Sequence, residues 1–171
     1  MRNVQQRDIG ASPAGVGVVL DTLGGADDRA WPTEWPPVEL DDGLRVGSTG
    51  GHGPIRYSVV EYEPGRRIRL EFAPGLGICG DHEFLLEPVG EARCSATHTL
   101  QGRLSGRMRL LWPLMIRWVH KALIQDLFDN LERESTGRLL NGPARWSPWV
   151  RFLRRINGAP PRSILRRTGR G

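Results

Sequence analysis

Residues 50–72, GGHGPIRYSVVEYEPGRRIRLEF, predict a β-hairpin, and the rest of the fold can be built outward from it. Two extended stretches, residues 55–62 and 67–73, flank Pro64-Gly65, a pair that suits a type II turn. Apolar and charged residues alternate along the second stretch, as expected for a strand with one face on a core and the other in water. Its apolar face carries Ile68, Leu70 and Phe72.

The register of the first strand is not decided by the sequence. With a two-residue turn, Glu63 pairs with Arg66, and Tyr57 and Val59 then share the apolar face of the second strand. A slip of one residue would turn every side chain to the opposite face, because successive side chains alternate. The residues presented after such a slip are Val60 and Tyr62.

A second hairpin is predicted over residues 80–88 and 93–104, around Val89-Gly90-Glu91. One of its faces combines apolar residues with two histidines: His82, Phe84, Leu86, Cys94, Ala96, His98 and Leu100. A three-residue loop would place His82 directly opposite His98. Cys79 and Cys94 fall on opposite faces, so we expect two free thiols rather than a disulfide.

Two helices flank these strands in the sequence. Ser12 is a suitable N-cap for the first helix, Pro13 suits its first position, and Gly24 suits its end. The second helix covers about residues 108–136 and is expected to end at Gly137, with Pro113 either in its first turn or causing a kink. Each helix has an apolar stripe at helical spacing. The stripes are Val16, Val19, Leu20 and Leu23 in the first helix, and Trp112, Ile116, Val119, Leu123 and Leu127 in the second.

The segment between the first helix and the hairpins is predicted to be mostly irregular. Residues 31–37, WPTEWPP, contain three prolines and cannot form a regular helix. Trp31 and Trp35 either fill the core or lie at the rim of a cavity, and the core interpretation is favoured. Residues 44–49 are expected to form a short strand.

Charge divides the chain into two parts. Residues 138–171 contain nine arginines and no acidic residue, so this tail carries +9 against −4 for the rest, giving the net charge of +5. The sequence pI of about 10.2 therefore reflects a basic tail and does not indicate a nucleic-acid-binding domain. We predict a domain over residues 1–137 and an Arg-rich tail over 138–171, with a short amphipathic helix at about 148–157 that Pro148 starts and Gly158 ends.

Three stretches resemble the SRPBCC superfamily, which includes START-like and polyketide cyclase/dehydrase-like proteins. They are RDIGASPAGV, the hairpin 50–72, and RMRLLWPLMIRWVHKALIQDLFDNLE. The resemblance covers about residues 1–136. It implies an α+β helix-grip fold, in which a curved antiparallel sheet of about six strands wraps around a long C-terminal helix. It says little about chemistry, because lipid carriers, cyclases and chaperone activators share this scaffold.

The resemblance also implies an apolar cavity between the sheet and the C-terminal helix. The apolar faces predicted above fit such a cavity, and pockets of this kind hold a few polar groups that orient a ligand. His82 and His98 are the polar candidates, either as ligand-orienting or acid–base groups or as a structural pair, and the structural pair is favoured. His52 is interpreted as a loop residue that would suit the cavity mouth, His120 as lying at the edge of the helix stripe, and Glu61 and Asp126 as surface carboxylates. The candidate ligand-binding residues are Tyr57, Val59, Leu70, Phe72, His82, Phe84, Ala96, His98, Ile116, Val119 and Leu123.

No signature of catalysis or of a cofactor is present in the sequence. The two histidines have no evident third ligand, so we expect no metal site, and no glycine-rich loop matches a nucleotide-binding pattern, so we expect no cofactor. An enzymatic role therefore rests on the resemblance alone. MRNVQQRDIG lacks the apolar stretch of a signal peptide, and residues 110–124 are too short to span a bilayer, so a cytoplasmic protein is expected.

The leading functional hypothesis is binding of a small hydrophobic ligand, such as a lipid, an isoprenoid or a polyketide-like molecule. One alternative is a cyclase or dehydratase that acts on such a ligand. A second alternative is a module whose tail docks on an anionic membrane or a partner, without specific nucleic-acid binding. The tail helix could instead pack on Leu114, Trp118 and Phe128 or on a second copy, and packing on the protein itself is slightly favoured. The candidate docking residues are Trp146, Trp149, Arg151, Phe152, Arg154 and Arg155.

Overall fold

The structure, a computed structural model, describes residues 1–156. Within them, one antiparallel sheet has the strand order β1-β7-β6-β5-β4-β3-β2. The strands are β1 (Arg2–Ile9), β2 (Val38–Leu40), β3 (Thr49–His52), β4 (Ile55–Glu63), β5 (Arg67–Phe72), β6 (Ile78–Pro88) and β7 (Cys94–Leu104). The helices are α1 (Pro13–Leu20), α2 (Met108–Leu111), a π-helical turn (Trp112–Ile116), α3 (Arg117–Thr136) and α4 (Pro148–Ile156). The chain thus has the predicted helix-grip fold, with seven strands rather than about six.

The hairpin of β4 and β5 contains a bulge that the alternation did not reveal. Glu63 pairs with Arg67, so the predicted pairing of Glu63 with Arg66 is wrong and the turn has three residues. The register then shifts between Val59 and Glu61, leaving Val60 without a partner. A bulge inserts one residue into one strand, so the side-chain alternation changes phase along β4. Both predicted sets therefore contribute to the core face: Tyr57 and Val59 before the bulge, and Tyr62 after it.

The hairpin of β6 and β7 differs from the prediction by two residues. Pro88 pairs with Cys94, so five residues form the loop instead of three. His82 consequently lies opposite Leu100, and His98 opposite Phe84. The prediction that His82 directly faces His98 is wrong, but both histidines are on the core face, because a shift of two residues preserves side-chain orientation.

Helix α1 packs closely against the turn of the first hairpin. Ser12 accepts a hydrogen bond from the Gly15 amide and caps the helix as predicted. A Cβ atom on Gly17 would overlap the backbone of Gly65, and the Gly65 amide donates to Asp21 at 2.9 Å. Helix and turn therefore meet backbone to backbone, which only glycine permits at residue 17. The predicted stripe is buried throughout: Val16, Val19, Leu20 and Leu23.

Residues 44–49 do not form the predicted strand, except that β3 begins at Thr49. Gly43 and Gly47 adopt φ values of 59° and 94°, in the left-handed region that interrupts extended backbone. The Asp41 carboxylate accepts bonds from Ser48 and from the Thr49 hydroxyl and amide. These bonds, led by the Thr49 hydroxyl, lower the pKa of Asp41 to about 2. The segment is thus a turn held by one carboxylate.

The long helix predicted over residues 108–136 runs through α2, the π-helical turn and α3. The π-helical turn includes Pro113, which lacks the N–H that a regular helical ladder requires. Gly137 ends α3 in the left-handed conformation, with φ of 76°, as predicted.

A row of buried acidic side chains on α3 holds the segment that leads into α4. Asp126, predicted to be a surface carboxylate, is 2% exposed and accepts hydrogen bonds from the indoles of Trp35 and Trp146, both at 2.8 Å. Asp129 accepts from the Ala144 amide at 2.6 Å. The correction has a physical cause, because a buried carboxylate is tolerated where several donors surround it.

Helix α4 packs on the domain itself, over nearly the predicted range; Gly158, predicted to end it, lies outside the described residues. Its buried residues are Val150, Leu153 and Arg154, and Val150 belongs to a cluster with Trp35, Ala122 and Leu123. Of the three side chains expected to receive this helix, Phe128 is buried elsewhere in the core and Leu114 and Trp118 remain exposed.

Candidate functional site

A cavity of about 760 Å³ lies between the concave face of the sheet and the long helix. We call it the histidine cavity. Five parts of the chain line it: strands β5 to β7, the long helix, the segment 31–36, the turn 52–55, and helix α4. Most of the lining is apolar, which is typical of a site for a small molecule.

Six of the predicted ligand-binding residues line this cavity: Phe72, His82, Phe84, Ile116, Val119 and Leu123. The other five lie in the packed core or behind the cavity wall: Tyr57, Val59, Leu70, Ala96 and His98. Sequence alternation identified the correct face of the sheet. It could not show how far along that face the packed core ends and open space begins.

Several lining residues were not predicted as ligand-binding. Trp31 and Trp35, for which core packing was favoured, both pack against other apolar side chains and also line the cavity. His52 comes from the end of β3 and His120 from α3. Arg154 comes from α4, which the sequence placed outside the domain. A usable signal existed for His120, since it is four residues after Ile116 and therefore on the same helix stripe.

All four histidines of the chain belong to one cluster of ring contacts at this cavity, and His52, His82 and His120 line it. The ring centres of His82 and His98 are 5.6 Å apart, and those of His98 and His120 are 5.0 Å apart. The Nε2 atom of His98 lies 3.4 Å from the Nδ1 atom of His82. His52 joins through Tyr57, whose hydroxyl is 3.4 Å from the His52 Nδ1 atom and whose ring contacts His82. The hairpin of β3 and β4, the hairpin of β6 and β7, and helix α3 thus bring together residues up to 68 positions apart.

Burial keeps these imidazoles uncharged at neutral pH. It lowers the pKa of His82 and of His98 well below the usual value, and the neighbouring histidines lower it further. Burial also lowers the pKa of His52 to about 4, with a contribution from Arg56, and that of His120 to about 3, with a contribution from His52. A neutral imidazole has one donor and one acceptor nitrogen, so the cluster offers hydrogen bonds without charge.

Three imidazole nitrogens of the cluster are buried without a hydrogen-bond partner: Nε2 of His82, Nδ1 of His98 and Nδ1 of His120. Buried polar atoms are normally paired, so this number in one place calls for a functional explanation. Within residues 1–156, no three His, Cys, Asp or Glu side chains are arranged to hold a metal ion.

Through Arg154, helix α4 contributes to the wall of the cavity. Its guanidinium lies 4.2 Å from the ring centre of Trp35 and 4.3 Å from that of Trp146, and it donates to the Glu34 carbonyl at 2.5 Å. The side chain is only 5% exposed. The tail helix, for which packing on the protein itself was slightly favoured, therefore forms part of the cavity wall.

A second, more open depression of about 900 Å³ adjoins the histidine cavity. It lies between residues 71–79 and 105–111, and it shares Phe72, Ile78 and Met108 with the histidine cavity. None of the four histidines lines it. The imidazoles therefore belong to the histidine cavity alone, whereas the polar side chains of the second depression include Glu71 and Arg107.

No model of a known protein family matches the sequence, and no curated protein matches it either. Solved structures do resemble it. Norcoclaurine synthase from Thalictrum flavum, in complex with dopamine and hydroxybenzaldehyde, matches with a TM-score of 0.61 at 13% identity, over 81% of this chain and 88% of that chain.

Two bacterial proteins give similar matches. A solution structure from Thermobifida fusca has a TM-score of 0.63 at 12% identity, over 85% of this chain and 99% of the other. CalU16 from Micromonospora echinospora has a TM-score of 0.54 at 14% identity, over 92% of this chain and 83% of the other. At identities of 12–14%, these likenesses show the helix-grip fold.

Proposed function

We propose that this helix-grip chain binds a small hydrophobic molecule in the histidine cavity. The observation that carries the proposal is the cavity itself, about 760 Å³ of space with a largely apolar wall beside the packed core. Protein interiors are normally filled, so a space of this size in a domain of 171 residues requires an explanation. Its volume falls in the range of sites that enclose a small organic ligand.

The composition of the wall favours a neutral ligand with much apolar surface. Phe72, Phe84, Ile116 and Leu123 supply aromatic and aliphatic contacts, and the imidazoles beside them are uncharged. Burial of apolar surface would drive binding. A lipid, an isoprenoid or a polyketide-like molecule has this character. The helix-grip neighbour from Thalictrum flavum holds two small aromatic molecules, which supports the capacity of this scaffold for such ligands.

A fluorescent fatty acid and an apolar naphthalene dye test the proposal directly. We expect saturable binding by the full chain, and loss of most of it in Val119→Trp, because Val119 is partly exposed and lines the cavity. Val18→Trp is the matched control, since Val18 is 62% exposed on α1, outside the cavity lining. The proposal would be rejected if neither probe bound saturably, or if Val119→Trp and Val18→Trp bound the probes equally well.

A cyclase or dehydratase that uses the same cavity is the catalytic alternative. The observation that favours it is the cluster of neutral histidines, since each ring has one hydrogen-bond donor and one acceptor with which to position the reacting groups of a substrate. Binding and catalysis are separated by extracting a bound polyketide-like probe after incubation and comparing its mass and absorbance with those of the starting material. Quantitative recovery of unchanged probe would reject catalysis for that class of molecule and leave binding intact.

A second candidate function, docking on an anionic membrane surface, is favoured by an exposed apolar face outside the cavity. The face combines the outer side of the long helix with the outer side of α4, and we call it the docking face. It consists of Leu110, Leu114, Trp118, Trp149, Phe152 and Ile156, which are 38–69% exposed. The Trp149 indole donates to the Leu114 carbonyl at 2.9 Å, so the two helices form one continuous surface.

Charge around the docking face is of one sign. Residues 92–125 and 135–171 contain no acidic residue, whereas arginines and one lysine surround the apolar side chains. Between residues 108 and 125 and in α4, the exposed basic residues are Arg109, Arg117, Lys121, Arg151 and Arg155. Apolar side chains that insert beside basic ones are suited to an interface rich in anionic lipids, where each basic residue contributes about 1 kcal/mol. No described helix is long and apolar enough to cross a membrane, so the proposed contact is peripheral.

Membrane docking would make the predicted docking residues unequal in role. Trp149, Arg151, Phe152 and Arg155 are exposed and would contact lipid. Arg154 is buried in the cavity wall and Trp146 is partly buried against Asp126, so these two hold the helix in place.

Co-sedimentation with vesicles tests this candidate. We expect the protein to bind phosphatidylserine-containing vesicles at low salt, less at moderate salt, and not pure phosphatidylcholine. The double variant Leu114→Ser/Phe152→Ser should lose binding, whereas Val46→Ser, which alters an exposed valine outside this face, should keep it. Equal binding by both variants would reject the docking face.

A further inference from the structure

We infer that the ligand of the histidine cavity carries a hydroxyl group, which hydrogen-bonds to the unpartnered nitrogens of His82 and His120. This inference rests on the proposed binding function and names the class of ligand. Both residues line the cavity, and His82 is only 8% exposed. An aliphatic ligand without polar groups would fill the space but leave these nitrogens without partners.

The position of His82 explains why its unpartnered atom is available to a ligand. The ring is stacked on Phe72, with ring centres 5.1 Å apart, and its Nδ1 atom faces His98. Its Nε2 atom is the one without a partner. That atom is covered in the empty protein, but rotation of a histidine ring about its Cβ–Cγ bond is a soft motion. A ring rotation that exposes Nε2 to the ligand is therefore part of the inference.

The contact between His82 and His98 determines what Nε2 can do. If His98 donates its Nε2–H to His82 Nδ1, then the neutral His82 ring must carry its proton on Nε2 and donates to the ligand. If His82 donates from Nδ1, its Nε2 is bare and accepts from the ligand. A hydroxyl group both donates and accepts, so it satisfies either arrangement, whereas a carbonyl satisfies only the first.

His120 strengthens the argument because it provides a second unpartnered nitrogen from another element. Its ring faces His98 from the helix side, with ring centres 5.0 Å apart, and its Nδ1 atom has no partner. The Trp112 ring also packs near the His120 ring, with ring centres 6.0 Å apart. The hydroxyl group would therefore lie between a strand residue and a helix residue, at the histidine end of the cavity.

The favoured group at the two imidazoles is thus a neutral hydroxyl, as in a phenol or a long-chain alcohol, rather than a carboxylate or a phosphate. Burial lowers the pKa of both rings, so neither provides a positive charge to hold a carboxylate or a phosphate at neutral pH. An unprotonated imidazole beside a hydroxyl costs no buried charge.

Calorimetric titration with naphthalene and 2-naphthol, which differ by one hydroxyl group, tests the inference. We expect the full-length protein to bind 2-naphthol about tenfold more tightly, because a buried hydrogen bond gained at each nitrogen offsets the loss of water. His82→Phe and His120→Phe keep a ring in place. Each variant should still bind naphthalene but should show a smaller preference for 2-naphthol. Phe84→Leu is the control, and it should weaken both probes alike.

The outcomes distinguish the two proposals. Failure of both probes to bind would overturn the cavity as a binding site. Equal binding of the two probes, or a preference that survives both histidine variants, would overturn the hydroxyl inference and leave binding intact. If a histidine variant does not fold, ¹⁵N-histidine NMR of the unmodified protein decides: 2-naphthol must shift the Nε2 resonance of His82 or the Nδ1 resonance of His120 more than naphthalene does. No such difference would also overturn the inference.

Discussion

The guanidinium of Arg154 lies 4.2 Å from the ring centre of Trp35, so the last described helix reaches the segment that follows α1. The same guanidinium also lies over Trp146, which fixes α4 from its own side. A cation between two indoles is attracted to both ring faces. This arrangement makes α4 a wall of the histidine cavity, and it leads to the first prediction.

Replacing Arg154 should loosen α4. Arg154→Ala removes both indole contacts and the bond to the Glu34 carbonyl, at a cost of about 2 kcal/mol. Amide hydrogen exchange in residues 148–156 should then become about 30-fold faster. Arg155→Ala is the control, because Arg155 is exposed and its loss should change little. Equal exchange in the two variants would show that the buried guanidinium does not hold the helix.

The close contact of α1 with the first hairpin predicts opposite effects for two nearby glycines. Gly17→Ala should destabilise the protein by about 2 kcal/mol, because the added methyl overlaps the Gly65 backbone and overpacking outweighs the gain in helix propensity. Gly15→Ala should stabilise it by up to about 1 kcal/mol, since the nearest atom to the new Cβ is the Ser12 hydroxyl at 3.5 Å. Urea denaturation measures both. A stabilising Gly17→Ala would contradict the close approach.

The histidine cluster predicts that stability falls as the pH falls from 7 to 5. The pKa of His82 and that of His98 are lowered on folding, so below about pH 6.5 the unfolded chain binds more protons than the folded one. Each buried histidine should then cost about 1.4 kcal/mol per pH unit. Burial also lowers the pKa of His52 and that of His120, so these two histidines add to the loss of stability in the same direction.

Urea denaturation at pH 7, 6 and 5 measures this loss. The double variant His82→Phe/His98→Phe keeps aromatic rings in the core and should lose about half of the pH dependence over the same interval, because the pKa values of His52 and His120 remain lowered by burial. A wild-type stability that is constant between pH 7 and 5 would mean that the two rings become protonated without cost, and so are not buried as described.

The two cysteines predict a difference in reactivity that tests the second hairpin. Cys79 is exposed and Cys94 is buried, and burial raises the pKa of the Cys94 thiol. An aromatic disulfide reagent should therefore modify one thiol in the folded protein and two after unfolding in urea. Peptide mapping should find the first modification at Cys79. Rapid modification of Cys94 in the folded state would contradict the orientation of β7.

Local sequence patterns determined the elements and their faces. The alternation in residues 67–72 and the apolar stripe from Trp112 to Leu127 are properties of neighbouring residues, and they predicted a sheet face and a helix face that do meet. The caps at Ser12 and Gly137 were predictable for the same reason, since each depends on the conformation of a few consecutive residues. The offsets with which the strands pair were not predictable in this way. The bulge at Val60 and the five-residue loop after Pro88 depend on contacts between strands, which no single strand encodes.

Only the tertiary structure decided the site. The sequence identified His82 and His98 as candidates because both interrupt an apolar face, but His52 and His120 join them only after β3 and α3 have packed around the same space. Asp126 and Arg154 were assigned to the surface and the tail, as charged residues normally are, and folding buried both beside the indoles of Trp35 and Trp146. Periodicity predicts which way a side chain points. Whether it meets a packed core, open space or a distant partner depends on how all the elements are assembled.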